Sequence, residues 1–265
     1  MTDFLSEILA RKRRENARRS RHVGAMRAVE RPPQRERSER GIRALSRAPG
    51  AAPSVLAEVK FRSPSAGEIR PWRAGEGVRV AQAYERAGAS AVSVLADGPG
   101  FGGSPLLVRR VAEAVSVPVL YKGFVLDSVQ VDLAYDVGAS LVLLLVRALA
   151  DPDLHALIVQ IRALGMEPVV EAASSTEVAR AVAAGSTIIG VNARDLSTFD
   201  VDMSAARDCI AQIPAGCVAV FMSGVRSADD FREVAQSRAD AVLIGEGLMR
   251  SENPGARLSE LLGAV

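Results

Sequence analysis

The sequence predicts an α/β fold: a single (β/α)8 TIM barrel carrying an N-terminal helical extension. From residue 55 onward, short apolar runs alternate with amphipathic stretches, and the runs begin near residues 55, 91, 117, 140, 167, 187, 217 and 240. That makes eight strand-then-helix units. The chain has 265 residues, 48% hydrophobic and 24% charged, which suffices for one large core without a second domain core. An open doubly wound sheet is the structural rival, but eight regular units with no GxGxxG after the first run favour closure.

Residues 1–50 read as a basic helical extension with its linker, and residues 51–265 as the barrel domain. Leu5, Ile8 and Leu9 stand at helical spacing. The first 50 residues carry 14 Lys and Arg against 6 Asp and Glu, and the rest of the chain 19 against 25. A basic arm can bind nucleic acid, but this one has interspersed acids and no interleaved aromatics. A capping helix with a solvated basic face is therefore expected, with no nucleic-acid partner. Residues 30–53, with RPPQRERSERG and RAPGAAP, read as an irregular linker into the first strand.

The runs are VLAEVK, AVSVLAD, VPVLYKG, SLVLLLV, EPVVEA, TIIGVN, CVAVFMSG and DAVLIGEGL. Each is apolar nearly throughout, as strands covered on both faces require. Small-residue turns precede several of them, AGAS at 87–90, VGAS at 137–140 and AAGST at 183–187, where glycine can end a helix in the left-handed conformation. No stretch reaches the roughly 18–20 uninterrupted apolar residues of a membrane helix, and the amino terminus lacks a signal-peptide pattern. A cytoplasmic protein with no membrane association is expected.

In such barrels the chemistry sits at the carboxyl ends of the strands. The polar residues there are Glu58 and Lys60 on strand one, Asp97 on two, Lys122 on three, Glu171 on five and Asn192 on six. Strand seven ends in Met222-Ser223-Gly224 and strand eight in Gly245-Glu246-Gly247. With His22 and His155 the only histidines, Ser-His-Asp or Cys-His catalysis and a multi-histidine metal site lack their parts. Cys209 and Cys217 have no CxxC spacing and read as core thiols. Acid–base work falls to Lys, Glu or Asp.

Lysine usage sharpens this. The chain has 30 arginines and three lysines, Lys12, Lys60 and Lys122, two of which end barrel strands. A guanidinium stays protonated, whereas an ammonium can give up a proton and recover it. Retained lysine at two strand ends therefore points to chemistry, the plainer alternative being ordinary anion partners. Glu58 and Lys60, two apart on one strand, point the same way into the barrel mouth. Small residues after strands seven and eight suggest an anion grip by backbone N–H groups.

Six segments in order, AEVKFRSPSAG, SVLAD with FGGS, LYKGF, GMEPVVEA, GVNARDLSTFDVD and LIGEGLMR, resemble the indole-3-glycerol-phosphate synthase family, as does the helical extension. The resemblance implies a carboxy-lyase that cyclises 1-(2-carboxyphenylamino)-1-deoxyribulose 5-phosphate to indole-3-glycerol phosphate in tryptophan biosynthesis, with loss of carbon dioxide and water and with no cofactor or metal. It implies Lys122 as general acid, Glu171 as partner in dehydration, Lys60 as carboxylate holder or proton sharer, Glu58 as orienter of the lysines, and Asn192 on a sugar hydroxyl. Arg194 falls near the aryl carboxylate. Phe101, Phe124, Leu143 and Leu196 form the wall around the ring, with Met222 facing it. Ser63, Ser223, Gly224, Gly245 and Glu246 fall at the phosphate end. The partner implied is a sugar phosphate bearing an aryl group, and the chain is expected to be a monomer or homodimer.

The sequence also departs from the family. Met222 stands where strand seven ends in glutamate, and Gly123 where an aspartate follows the general-acid lysine. Ala172-Ala173 replaces Val-His, Ala193 follows Asn192, and Gly98-Pro99-Gly100 replaces a polar-aromatic segment. These changes leave two further readings open: a divergent relative taking a modified arylamino-deoxyribulose phosphate or giving a different product, and an impaired binding or scaffold protein. A sugar-phosphate isomerase would share the phosphate grip, but Glu-x-Lys-x-x-Ser-Pro-Ser on strand one and the strand-three lysine argue against it.

Overall fold

The computed structural model describes residues 4–23, 35–195 and 198–264. Eight parallel strands close a barrel: β1 (Ser54–Val59), β2 (Ala91–Leu95), β3 (Val119–Lys122), β4 (Leu141–Leu145), β5 (Glu167–Ala172), β6 (Ile188–Asn192), β7 (Val218–Met222) and β8 (Ala241–Ile244). Each pairs with its sequence neighbours, and β8 returns to β1 from Ser54↔Ala241 to Ala57↔Ile244. Every strand begins within two residues of its predicted run. Gly88, Gly138 and Gly185 adopt the expected left-handed φ between the preceding helix and β2, β4 and β6.

The period of two sorts the strand residues into two cores. Val55, Ala57 and Val59, with Val92 and Val94, face the helical ring. Leu56, Leu120, Leu141, Leu143, Val169, Ile188, Val220 and Leu243 fill the barrel interior. Glu58, Lys122, Glu171, Asn192 and Met222 share the parity of that interior set, so each reaches into the barrel near its carboxyl end.

The extension supplies one helix to each end of the barrel. α1 (Phe4–Val23) turns Leu5, Ile8 and Leu9 onto the inner cluster beside Phe124, Leu143 and Leu145, at the mouth. Burying such side chains stabilises by about 1.5–3 kcal/mol each. The expected irregular linker is corrected in part: α2 (Arg35–Leu45) is an 11-residue helix sealing the floor. A Cβ on Gly41 would stand 2.7 Å from Leu141 Cδ2, Leu45 is fully buried, and Ser38 N donates to the Gly165 carbonyl at 2.9 Å. Its charged composition masks a narrow stripe that only the barrel floor makes apolar in context.

Candidate active site

At the mouth, one buried carboxylate holds two lysines. Glu58, 1% exposed, receives Lys122 Nζ on Oε2 at 2.5 Å and Lys60 Nζ on Oε1 at 2.8 Å. Burial pushes its carboxyl up, but the two ammoniums and their hydrogen bonds prevail and hold it at about 2. The third side is closed by the residue after β8: a Cβ on Gly245 would lie 2.6 Å from Glu58 Oε1. Glycine there leaves room for the carboxylate.

Opposite this cluster, β5 and β6 place a second polar pair. Asn192 donates its amide to Glu171 Oε1 at 3.0 Å, and its own Oδ1 accepts the Arg194 backbone N–H at 3.0 Å. The last bond turns the chain so that Arg194 leaves β6 toward the rim, where it donates to the Phe199 carbonyl at 3.1 Å and lies 3.9 Å from Glu246. Phe101 and Phe124 meet at 5.9 Å between ring centroids and form an apolar wall with Leu95, Leu143 and Leu145. Together these side chains and Gly123 enclose a cavity of about 80 Å³. It has polar groups on one side and aromatic and aliphatic surface on the other.

The indole-3-glycerol phosphate synthase family model matches residues 5–261. The chain belongs to the indole-3-glycerol phosphate synthase family. Indole-3-glycerol phosphate synthase 2 of Streptomyces coelicolor is 44% identical over 84% of this chain and 85% of its own length. The synthase of Parafrankia sp. is 39% identical over 98% and 95%. Among solved structures, KGPDC from Streptococcus mutans superposes with a TM-score of 0.62 at 12% identity, covering 80% of this chain and 97% of that one. Thiamine phosphate pyrophosphorylase from Pyrococcus furiosus gives 0.59 at 16%, covering 80% and 94%. At those identities the likeness is one of fold.

Of the residues that the family resemblance singles out, Glu58, Lys60, Lys122, Glu171, Asn192, Phe101, Phe124 and Leu143 line the one cavity. Met222 lies deeper, 1% exposed, its thioether filling the space over Gly190, where a Cβ would come 2.3 Å from Met222 Cε. Leu196 lies outside the described residues. At the other end of the mouth, Ser223 and Gly224 follow β7 with consecutive positive φ of 69° and 90°. Gly245 opens the short helix Glu246–Met249, and Glu246 is held by Arg250 at 3.0 Å. Ser63 Oγ accepts the Ala66 N–H at 3.1 Å within the loop after β1. Among the described residues no group of three His, Cys, Asp or Glu could hold a metal ion.

The sequence places Asp97 at the end of strand two and counts Lys12 among the three lysines, but gives neither a partner. Asp97 ends β2, and α1 brings Arg11 and Lys12 onto it at 2.9 and 2.7 Å. Lys12 is the third lysine of a chain otherwise built with arginine, and that rarity was the available signal. The extension's net charge hid it.

Proposed function

We propose that this chain closes 1-(2-carboxyphenylamino)-1-deoxyribulose 5-phosphate to indole-3-glycerol phosphate, releasing carbon dioxide and water. The observation that carries the reading is the Lys60–Glu58–Lys122 cluster facing Glu171–Asn192 across an aromatic-walled cavity, in a chain of this family. Lys122 donates a proton to the ribulose carbonyl oxygen as the ring carbon bearing the carboxylate attacks the carbonyl carbon, forming the C–C bond. Loss of carbon dioxide returns its bonding electron pair to the ring and restores aromaticity. The new hydroxyl takes a second proton from Lys60, released once the carboxylate has left, and departs as water, expelled by electrons from the ring nitrogen. Glu171 takes the proton lost from the adjacent methylene, and that step completes the indole.

The remaining roles follow from position. Glu58 carries no proton at neutral pH and orients both ammoniums, and Lys60 holds the aryl carboxylate. Asn192 fixes Glu171 while binding a sugar hydroxyl, and Arg194 guides the carboxylate end. The ring stacks against Phe101, Phe124 and Leu143, above the buried thioether of Met222. Backbone N–H groups around Ser223, Gly224, Gly245 and Glu246, with Ser63, take the phosphate, a grip that depends on oriented amides more than on side-chain charge. In this reading residues 1–50 are an accessory extension and 51–265 the catalytic unit, active as a monomer or homodimer.

One feature favours a second reading, a substrate with an altered ring. Gly123 lines the cavity without a side chain and Met222 is apolar, so Glu58 and Glu171 are the only carboxylates lining the cavity among the described residues. The test is turnover of the carboxyphenylamino substrate by the purified chain, followed by indole fluorescence and released carbon dioxide, beside Met222→Glu. Wild-type turnover supports the first reading. Binding without turnover, with activity appearing in Met222→Glu, supports the second.

A further inference from the structure

Asp97 has a side chain with no solvent exposure, and the partners that neutralise it come from α1: Arg11 Nη2 stands 2.9 Å from Oδ1 and Lys12 Nζ 2.7 Å from Oδ2. A buried carboxylate is strongly unfavourable unless paired, and the cations that pair with this one come from docked α1. The backbone of Asp97 also opens the helix Gly98–Phe101, and its carbonyl accepts the Gly103 N–H at 2.9 Å. A shift of Asp97 is therefore a shift of Phe101 on the cavity wall.

Two further ties hold α1 over the mouth. Asn16 donates to Gln130 Oε1 at 2.7 Å, and Gln130 donates to the Phe124 carbonyl at 2.8 Å. Phe4 meets Phe199, in the loop after β6, edge-on at 5.6 Å. Beneath this roof lies a cavity of about 80 Å³.

We propose that Asp97 is a positioning residue that clamps α1 over the mouth of the active site. Through Arg11 and Lys12 it sets how firmly the roof holds bound substrate, and through Gly98–Phe101 it sets where Phe101 stands. The inference rests on the substrate reading above and adds to it a clamp between the extension and the barrel.

The test uses full-length Lys12→Met, Asp97→Asn and the double variant. Three quantities are measured: KM, the single-turnover rate at saturating substrate, and backbone amide exchange of residues 4–23. Each single variant is expected to raise KM about tenfold while the saturating single-turnover rate stays within about twofold. Exchange in 4–23 quickens and that of the barrel strands does not. The double variant raises KM little beyond either single one, since both break the same clamp, and Lys12→Arg, which keeps the cation, restores most of the loss.

A helix that is only structural would lower the melting temperature and leave KM alone. Unchanged KM, unchanged exchange in 4–23, or additive effects would each overturn the clamp. Should Asp97→Asn not fold, Lys12→Met carries the test, since that side chain lies at the edge with 12% exposure. A wild-type protein that turns over nothing would refute the substrate reading alone, because amide exchange still reports on the clamp.

Discussion

Lys122 Nζ lies 2.5 Å from Glu58 Oε2 although 64 residues separate them in the chain. β1 and β3 flank β2, and each sends an inward side chain to the same level of the barrel mouth. Lys60 occupies the other oxygen at 2.8 Å, so a single carboxylate sets the direction of two ammoniums.

Replacing Lys122 by alanine should remove the proposed general acid. We expect kcat to fall by about 10²–10⁴-fold, while the affinity for a non-reactive sugar-phosphate ligand changes little, because the proposed phosphate grip lies after β7 and β8. Parallel turnover and calorimetric titration check this. Undiminished turnover would reassign the acid.

Glu58 predicts a pH dependence. Its folded value of about 2 lies below its ordinary 4.5, so the carboxylate contributes stability that is fully present above about pH 4.5. That contribution is lost as the pH falls toward 2. Glu58→Gln should cost about 3 kcal/mol at neutral pH by leaving two lysines without their partner. It should also flatten the decline of stability between pH 4.5 and 2. Urea unfolding of both proteins at several pH values measures the two slopes.

Gly245→Ala separates space from backbone freedom. Gly245 has φ −123°, which alanine adopts readily, but the new Cβ would meet Glu58 Oε1 at 2.6 Å. The fold should persist, and displacement of Glu58 with its lysines should lower kcat by about 10²-fold. A folded variant with wild-type kcat would mean that the cluster tolerates the shift.

Gly190 and Met222 should behave as one unit. Gly190→Ala is expected to destabilise by about 1–3 kcal/mol through overpacking against the thioether. Adding Met222→Ala should recover part of that loss, so the two effects will be non-additive in a thermal-unfolding cycle.

Much of the barrel was legible because its signals are local. A run such as EPVVEA declares a strand from its own residues, and Glu58 and Lys60 share a face because a strand has a period of two. Glycine at 88, 138 and 185 marks helix ends through its own backbone freedom. α2 was not legible: in RERSERGIRAL the apolar stripe is thin, and the surfaces that hold it, Leu141 and the Gly165 carbonyl, lie about a hundred residues further along the chain.

The sequence by itself determined the eight strand-and-helix units, the parity that turns Glu58, Lys122, Glu171 and Asn192 inward, and the family to which those motifs belong. Tertiary structure decided that Met222 sinks beneath the cavity onto Gly190. It also decided that Glu58 serves both lysines and that Asp97 is neutralised by a helix 86 residues away. The division has a physical cause: periodicity needs only chain neighbours, whereas depth, charge pairing and the docking of a helix depend on which groups the barrel brings within about 3 Å of one another.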